Sequence, residues 1–427
     1  MTQPTGLAIC YGSLLLENNK TGTAELISVS SQVASFSVRI LACLQYLHLF
    51  LKLPKMKQRN GKKVQQELVG KMLPKKDQNG DLISKTLVDS GGKTSFSRKD
   101  PSMVHLSEKI KAISQESSWW DLYGLDWTVI IAWELLFFIG VWLLSFPSQA
   151  LFLCGMLLIG LNYGMIKTKA SHLAAHNALC RSKSWAKFWK YFFIEFQGGF
   201  SVDAACDIHI KVHHPYTNIL GLGDSSTWRA PFLPCYVYMF FAPLVLPLVT
   251  PVVGLGYLVQ EKRFVRLMEC LCLTVPGFVA QMLVIMYSSG LSALRTLLLI
   301  LASRSVMEIP YLHINIFQHI GLPMYDAKDK PPRIRLMATG ALNLTRNWLL
   351  DWNFGHSLIN CHTEHHLFPQ LSDNMCLKVK PVVRDYLLKY GLPYNEKDYS
   401  ERLRYFIANY TDLMVKLPPV TEFAGLQ

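Results

Sequence analysis

The chain alternates between long apolar stretches and polar segments, and the first two apolar stretches predict membrane-spanning helices. Residues 127–145 contain a single acidic residue, Glu134, and residues 149–166 contain no charged residue. Each stretch is about long enough to cross a hydrocarbon core of roughly 30 Å at 1.5 Å per residue. Because Phe146-Pro147-Ser148 forms a turn between them, the pattern predicts a transmembrane hairpin.

Three more apolar stretches follow in the second half of the chain. The first, residues 231–258, contains five prolines, and we expect it to lie in the membrane interface or to enter the membrane partway. Residues 268–288 and 291–312 predict a second hairpin, because the basic cluster at 262–266 favours the cytosolic side. Four crossings result, with both termini in the cytosol and no glycosylation of the three sequons at Asn19, Asn343 and Asn409.

The first 115 residues predict an extension in front of the membrane domain. Residues 51–100 hold 13 Lys and Arg against 5 Asp and Glu, which is eight of the net charge of +13. We interpret this stretch as a solvated linker that helps to set the topology, with contact to anionic lipid headgroups as the alternative. Residues 33–51 are expected to be interfacial or disordered, and we expect no signal peptide. Nucleic-acid binding is disfavoured, because no binding motif accompanies the charge.

Composition agrees with a membrane protein. Half of the residues are hydrophobic and the mean hydropathy is +0.20. The aromatic content of 12% excludes a wholly disordered chain, and 10 scattered cysteines without a CxxC pair exclude a disulfide scaffold. We therefore predict an all-α integral membrane protein with four transmembrane helices in two hairpins and a cytosolic helical cap. The predicted membrane domain is 116–400, followed by a C-terminal cytosolic tail at 401–427.

The histidines carry the candidate chemistry. Eight of the 13 histidines fall in three short clusters outside the predicted spans, which are His172-Leu-Ala-Ala-His176, His209-Ile-Lys-Val-His213-His214 and His362-Thr-Glu-His365-His366. Residues three and four apart share a helix face, so we expect the imidazoles of each cluster to converge. An even number of crossings places the three clusters on one side of the membrane.

Eight imidazoles exceed the four ligands of one tetrahedral zinc ion, so the clusters predict two metal ions. Imidazole nitrogen suits iron, zinc, copper and nickel. Asn315 and His319 are four residues apart where the last predicted span ends, so we expect His319 to be a ninth ligand and Asn315 to bind through a water. His356 is interpreted as a residue that supports a ligand or as a structural residue, whereas His48, His105 and His313 are expected to be ordinary polar residues.

With these clusters and their flanks, the sequence resembles the membrane fatty-acyl desaturases. The three boxes H-x3-H, H-x3-HH and H-x2-HH are similar to those of that family. The run His213-His214-Pro215-Tyr216-Thr217-Asn218 and the segment from Asp351 to His356 that leads to Glu364-His365-His366-Leu367-Phe368-Pro369 resemble its second-box and third-box regions. The segment Asn315 to His319 is similar to its fourth histidine element. The resemblance covers roughly residues 120–400.

The resemblance implies a mechanism, a cofactor and partners. Two iron ions would activate O2, and removal of two hydrogens from adjacent methylenes of a long acyl chain would leave a cis double bond. Two electrons would come from separate cytochrome b5 and its NADH reductase, and the enzyme would lie in the endoplasmic reticulum membrane with a cytosolic active site. The acyl donor would be acyl-CoA or a lipid, and Lys211, Arg229 or Arg346 could meet an anionic headgroup.

Some positions depart from the family pattern. His362 stands where the front-end subgroup usually carries Gln, which favours a different subgroup. The HPGG heme motif of a fused cytochrome b5 domain does not occur in this sequence, and Asp224-Ser225-Ser226 replaces a more usual acidic pair. Carboxylates often orient ligating histidines, and those near the boxes are expected either to do so or to be exposed charges. They are Glu195, Asp203, Asp207 and Glu364.

Three other functions remain open from the residues. A lipid hydroxylase would use the same boxes, and the mass of the product would distinguish it from a desaturase. A membrane zinc hydrolase needs about three histidines and leaves the others unexplained. A lipid-binding membrane protein without turnover would have no need for intact metal ligands. The main prediction is therefore a fatty-acyl desaturase.

Overall fold

The structure, a computed structural model, describes residues 101–220 and 233–415. Several sequence features lie outside the described residues: the stretches 1–100 and 221–232, with the apolar segment 33–51, the basic stretch 51–100, His48, Asn19, Asp224 and Arg229. The described part is built mainly of helices. This confirms the predicted all-α class of membrane protein.

Residues 101–220 form helices that lead from the first hairpin to the second histidine cluster. They are α1, Met103–Glu116; α2, Trp120–Leu143; α3, Gln149–Ala175; α4, Lys183–Lys190; and α5, Val202–Ala205. π-Helical turns lie within α3 at Ile166–Ala170 and continue α4 and α5 through Tyr191–Gln197 and Cys206–His213. π-Helical turns are rare and often mark functional sites.

Residues 233–415 hold the remaining apolar helices and most of the cap. The helices are α6, Val237–Gln260; α7, Phe264–Ser289; α8, Ala293–Phe317; α9, Arg333–Gly340; α10, Trp348–Phe354; α11, His362–Leu367; α12, Asp373–Lys389; α13, Tyr399–Ala408; and α14, Tyr410–Val415. Two short parallel strands, β1 at Asn343–Leu344 and β2 at Glu396–Lys397, hold the cap together.

Five of the described helices, α2, α3, α6, α7 and α8, are long and apolar enough to cross a membrane by length and composition. Four of them contain or overlap the predicted spans, and α3 extends to Ala175, well beyond the predicted end at residue 166. The fifth, α6, comes from the proline-rich stretch that was expected to be interfacial. The number of crossings therefore stays a prediction.

The position of the prolines explains why α6 forms a long helix. Pro243 lies in a 3₁₀ turn, Ala242–Val245, and Pro247 lies in the first turn of the α-helical part that follows. Proline is tolerated at the start of a helix, because the backbone N–H that it lacks has no helical partner there. Only Pro251 lies in the interior of the α-helical part.

Glycines allow the first hairpin to pack closely. A Cβ on Gly155 would lie 2.6 Å from the Gly140 carbonyl oxygen, and one on Gly140 would lie 2.9 Å from the Gly155 carbonyl oxygen. Small residues at such crossings let membrane helices approach each other and gain van der Waals contact. The hairpin of α2 and α3 is therefore tight, and α3 leads directly into the first histidine cluster.

The cap includes residues on both sides of the predicted domain boundaries. Leu106 and Ile110 of α1, within the predicted extension 1–115, are buried in one core with Val379 and Val383 of α12. In the predicted tail, Phe406 is fully buried against the end of α8. The described parts of the extension and the tail therefore contribute to the cap that surrounds the histidines.

Candidate metal centre

The four histidine elements lie on different parts of the fold and meet in one buried place. His172 lies in the last turn of α3 and His176 directly follows that helix, while the second cluster lies on and just after the π-helical turn Cys206–His213. The third cluster lies on α11, and His319 follows the end of α8. All nine of these histidines are buried.

The nine imidazoles separate into two groups, each with its ligand nitrogens within 4.8 Å of one another. The first histidine group consists of His172, His176, His209, His214 and His365. The second histidine group consists of His213, His319, His362 and His366. The nine imidazoles thus converge, but the second and third clusters are each divided between the two groups, contrary to the expectation that each cluster converges by itself.

Helix winding explains how the second cluster divides. An α-helix would place His209 and His213 on one face, which is what the spacing predicted. The segment is π-helical, so its hydrogen bonds join residues five apart, and His209 instead shares the first group with His214. His362 shares a group with His366, as expected, but the expectation that it also converges with His365 is corrected, because His365 joins the first group.

The nitrogen separations match ligands around a common ion. In the first histidine group, neighbouring Nε2 atoms lie 3.0–3.2 Å apart. Two nitrogens about 2.1 Å from one ion lie about 3.0 Å apart at right angles and about 3.4 Å apart in a tetrahedron. In the second group, His366 Nε2 lies 3.2 Å from that of His213 and 3.1 Å from that of His362. These separations are short enough for the nitrogens of each group to share one ion.

Two hydrogen bonds indicate that a cation belongs in the second group. His319 Nδ1 donates to the Gly340 carbonyl at 2.9 Å, and His362 Nδ1 donates to the Ser357 carbonyl at 3.1 Å. A neutral imidazole that donates from Nδ1 has only a lone pair on Nε2. These two Nε2 atoms are 2.7 Å apart. Two lone pairs at that distance repel unless a positive charge lies between them, so the residues fit a bound metal.

Two further ligands have hydroxyl partners on Nδ1. His366 Nδ1 lies 3.2 Å from Thr217 Oγ1, and His172 Nδ1 lies 3.3 Å from Ser357 Oγ. Sequence reasoning missed Ser357, Thr217 and the Gly340 carbonyl as partners of the ligands. Ser357 and Thr217 adjoin the quoted motifs, which could have drawn attention to them, whereas a carbonyl partner far along the chain gives no signal in the sequence.

Burial favours neutral imidazoles in the two histidine groups. Burial lowers the pKa well below the usual range for His176, His209, His214, His362, His365 and His366, and the neighbouring imidazoles lower it further. Burial also lowers the pKa of His319 to about 4, although the Gly340 carbonyl acts in the opposite direction. Neutral imidazole is the form that binds a metal ion.

The carboxylates near the boxes make their polar contacts elsewhere. Glu364 accepts hydrogen bonds from Tyr394 at 2.7 Å and Asn343 at 3.1 Å, and burial raises its pKa to about 7. Asp207 contacts Lys211, Arg263 and Tyr257. Arg266 binds Glu195 and Asp203.

The other predicted polar residues lie around the centre. His356 Nδ1 lies 4.0 Å from the Asp351 carboxylate. Asn315 is hydrogen-bonded to the side chain of Tyr311, one turn earlier in α8. His313 lies outside both histidine groups, because its ring contacts the Met239 carbonyl and the Tyr399 hydroxyl. A role for Asn315, Asp207, Glu364 or His356 at the metal stays a prediction.

Comparison with known proteins identifies the family of the chain. A model of the family described as Fatty acid desaturase matches residues 146–398, which include all nine histidines. The chain belongs to the fatty acid desaturase family. The prediction of a fatty-acyl desaturase, an oxidoreductase of lipid metabolism, is thereby confirmed.

The similarity to curated relatives extends over most of the desaturase. This chain is 44% identical over 338 residues to Fatty acid desaturase 6 of Bos taurus. The matched region covers 79% of this chain and 98% of that protein. This chain is 45% identical over 324 residues to Fatty acid desaturase 6 of Homo sapiens, covering 74% and 89%. Acyl-lipid (8-3)-desaturase of Rebecca salina is 29% identical over 91 residues, 21% of each chain.

Proposed function

We propose that this desaturase introduces a cis double bond into a long acyl chain and uses two iron ions, one bound by each histidine group. The observation that carries the proposal is the arrangement of nine buried, inward-facing imidazoles in a group of five and a group of four. A single zinc site would leave about five of them without use. Iron is a metal that all-imidazole sites suit, and it supplies O2-dependent oxidation chemistry when bound.

The residues around the centre would orient the ligands and exclude water from the reaction site. The Gly340 carbonyl fixes the tautomer of His319, so that Nε2 faces the centre. His362, His365 and His366 are each at most 3% exposed, so the acyl chain would react in a dry site. Dry surroundings protect reactive intermediates from side reactions. Asn315 would contribute through a water from the end of α8.

A basic pocket beside the centre would receive the headgroup of the acyl donor. The pocket has a volume of about 300 Å³ and is lined by Lys183, Lys187, Lys190, Lys211 and Arg263 together with Asp203 and Asp207. Lys211 and Arg263 contact the two aspartates. Lys183, Lys187 and Lys190 have no acidic partner among the residues that the structure describes. Both acyl-CoA and phospholipid headgroups carry phosphate that would match this charge.

The topology proposed for the chain is four crossings with the centre in the cytosol. The second and third clusters meet in one centre, so the chain between them would cross the membrane an even number of times. Three candidate helices lie between them. We propose that α7 and α8 cross and that α6 stays on the cytosolic side, in the endoplasmic reticulum membrane. Cytochrome b5 and its NADH reductase would supply the two electrons from the cytosol.

Product analysis tests the proposal. Yeast that express the full chain with cytochrome b5 are compared with yeast that express a His365→Ala variant, and their fatty acids are analysed by gas chromatography and mass spectrometry. We expect a product two hydrogens lighter than its precursor in the first strain and none in the second. A product that gains one oxygen would instead identify a hydroxylase, and equal products from both strains would contradict a role of this histidine.

Metal analysis of the purified chain tests the cofactor separately. Two iron ions per chain are expected, and the value should fall when His365 is replaced. Zinc as the sole transition metal would contradict the proposal and favour a hydrolase. A wild-type chain with iron but no product across fed chain lengths would favour a lipid-binding protein without turnover.

A further inference from the structure

Ser357 contacts one ligand from each histidine group. Its hydroxyl oxygen lies 3.3 Å from Nδ1 of His172, a member of the first group. Its carbonyl oxygen lies 3.1 Å from Nδ1 of His362, a member of the second group. Thr217 and Gly340, by comparison, contact ligands of the second group alone among the described residues. Ser357 therefore lies between the two groups and is 1% exposed.

The chemistry of the two contacts gives each a direction. A carbonyl oxygen only accepts, so His362 donates its Nδ1 proton and presents Nε2 to the second group. A hydroxyl can accept from an imidazole N–H, so a His172 ring that binds through Nε2 would donate to Ser357 Oγ. Such contacts set both the tautomer and the rotation of a metal-binding ring.

A buried ion network holds Ser357 in place. The Ser357 amide donates to Asp373 Oδ1 at 2.9 Å, and Lys169 donates to Asp373 Oδ2 at 2.6 Å. Lys169 also binds Asp126 at 2.6 Å, and all three charged residues are at most 3% exposed. Breaking such a pair would leave a charge buried without a partner, which is strongly destabilising. Ser357 is thus anchored to α2, α3 and α12 at once.

The backbone just before Ser357 packs closely against the same Asp373 carboxylate. Gly355 has a φ of +95°, a conformation that side chains other than glycine rarely adopt. A Cβ at Gly355 would overlap the Asp373 carboxylate. The segment from Gly355 to Ser357 therefore has little freedom to move away from Asp373, and neither do the hydroxyl and the carbonyl that face the ligands.

We propose that Ser357 is a positioning residue shared by the two metal sites, with its hydroxyl orienting His172 and its carbonyl orienting His362. Because the hydroxyl and the carbonyl belong to one anchored residue, Ser357 also sets the spacing between the two metal sites. This inference rests on the proposed function, in which each histidine group binds one iron ion. It goes further, because it assigns the Ser357 hydroxyl to His172 and the Ser357 carbonyl to His362.

The test relies on the fact that a substitution can change the Ser357 side chain without changing its backbone carbonyl. Ser357→Ala removes the hydroxyl and keeps the carbonyl, so it should weaken iron binding in the first group about 10–100-fold and leave the second unchanged. The readout is iron per chain in the purified full-length protein after dialysis against increasing concentrations of a chelator. Thr217→Val removes the hydroxyl beside His366 and should weaken the second group. Ser303→Ala, a buried serine in α8, serves as the matched control.

A double variant connects the effect to His172. If the Ser357 hydroxyl acts through that ring, Ser357→Ala should cause no further loss of iron when it is added to His172→Ala. The inference would be overturned by a further loss of iron in the double variant or by an equal loss of iron from both histidine groups. It would also be overturned by a chelator titration of Ser357→Ala that matches that of Ser303→Ala. If the alanine variant does not accumulate, Ser357→Thr should keep both irons, and loss of the first would again overturn it. A wild-type protein without iron would instead contradict the proposed function.

Discussion

At the scale of single residues, the centre is shaped by imidazoles that repel one another unless a cation is present. His319 and His362 both donate from Nδ1 to a carbonyl, and their Nε2 atoms are 2.7 Å apart. A metal ion converts that repulsion into two favourable bonds. Metal binding should therefore contribute directly to the stability of the folded cap, since a preformed site does not exist in the unfolded chain.

The first prediction concerns the ligands. His176→Ala, His214→Ala and His366→Ala should each lower activity more than about 100-fold and reduce bound iron, because even residues that only support a ligand affect metal sites about 10–100-fold. Iron content and product formation are measured in membranes with equal amounts of inserted protein.

A buried histidine outside the centre provides the control for that series. His313 contacts the Met239 carbonyl and the Tyr399 hydroxyl instead of a ligand. His313→Gln should keep iron and activity within about twofold of the wild type, since the volume and one hydrogen bond can be retained. Full activity in any of the three ligand variants would contradict the assignment of that histidine.

The second prediction concerns the basic pocket. Lys187→Gln and Lys190→Gln should each raise the KM for the acyl donor found by product analysis about fivefold, because a basic residue near a phosphate contributes about 1 kcal/mol. The kcat should change little, since neither lysine belongs to the histidine groups. Lys389→Gln on the exposed end of α12 is the matched control. An unchanged KM in both pocket variants would show that the headgroup binds elsewhere.

At the scale of elements, π-helical turns decide how a histidine cluster is shared. The turn Cys206–His213 brings His214 beside His209 in the first group, while the His213 ring stays stacked 5.4 Å from that of His209 and its nitrogen joins the second group. A similar turn, Ile166–Ala170, precedes His172 in α3. Each turn changes the direction of the side chains that follow, because its hydrogen bonds span five residues instead of four. Local winding thus assigns ligands that spacing alone leaves ambiguous.

The third prediction separates the extension from α1. Removal of residues 1–100 should leave turnover intact, because α1 begins at Met103. Removal of residues 1–116 should destabilise the cap, because Leu106 and Ile110 are buried in its core and each contributes about 1.5–3 kcal/mol. Thermal unfolding in detergent and product formation are measured for both truncations.

The shorter truncation is the control for the longer one. Loss of activity after removal of residues 1–100 would contradict the interpretation of 51–100 as a linker. Equal melting temperatures for both truncations would contradict a structural role of α1. A double substitution Leu106→Ala and Ile110→Ala in the full chain should reproduce part of the loss caused by the longer truncation.

At the scale of the whole molecule, the site exists only because distant parts of the chain converge. Residues on or directly after α3, the turn Cys206–His213, α8 and α11 meet there, and the contacting pairs His213–His366 and His214–His365 are 153 and 151 residues apart in the chain. Ionic contacts such as Lys167 with Glu308 join α3 to α8 inside the candidate spans. The two helices that lead to His172 and His319 are thus joined within the candidate spans as well as at the histidine groups.

The fourth prediction tests the topology. In sealed microsomes, the native Cys180 beside the first cluster should react with a membrane-impermeant maleimide, whereas Ser292→Cys in the turn between α7 and α8 should react only after permeabilisation. Four crossings place these positions on opposite sides. Labelling at position 292 itself in sealed vesicles, or a glycan on Asn409, would contradict the proposed orientation.

Much of the fold was predictable because its signals are local. The spans at 127–145, 149–166, 268–288 and 291–312 follow from runs of apolar residues, and helices are found at each of them. The proline-rich α6 was harder to predict, because the effect of a proline depends on whether it lies in the first turn or in the interior of a helix. Where a helix starts depends on tertiary contacts, which the amino-acid composition does not show.

The sequence by itself determined that the protein is a membrane desaturase and which nine histidines could hold metal. Residue type, short spacing and the flanking motifs carry that information, since imidazole nitrogen is a suitable metal ligand and apolar length decides what can cross a bilayer. Only the tertiary structure decided which histidines share a group and which atoms contact their rings. Those features depend on helix winding and on contacts such as Ser357 with His172, between residues far apart in the chain.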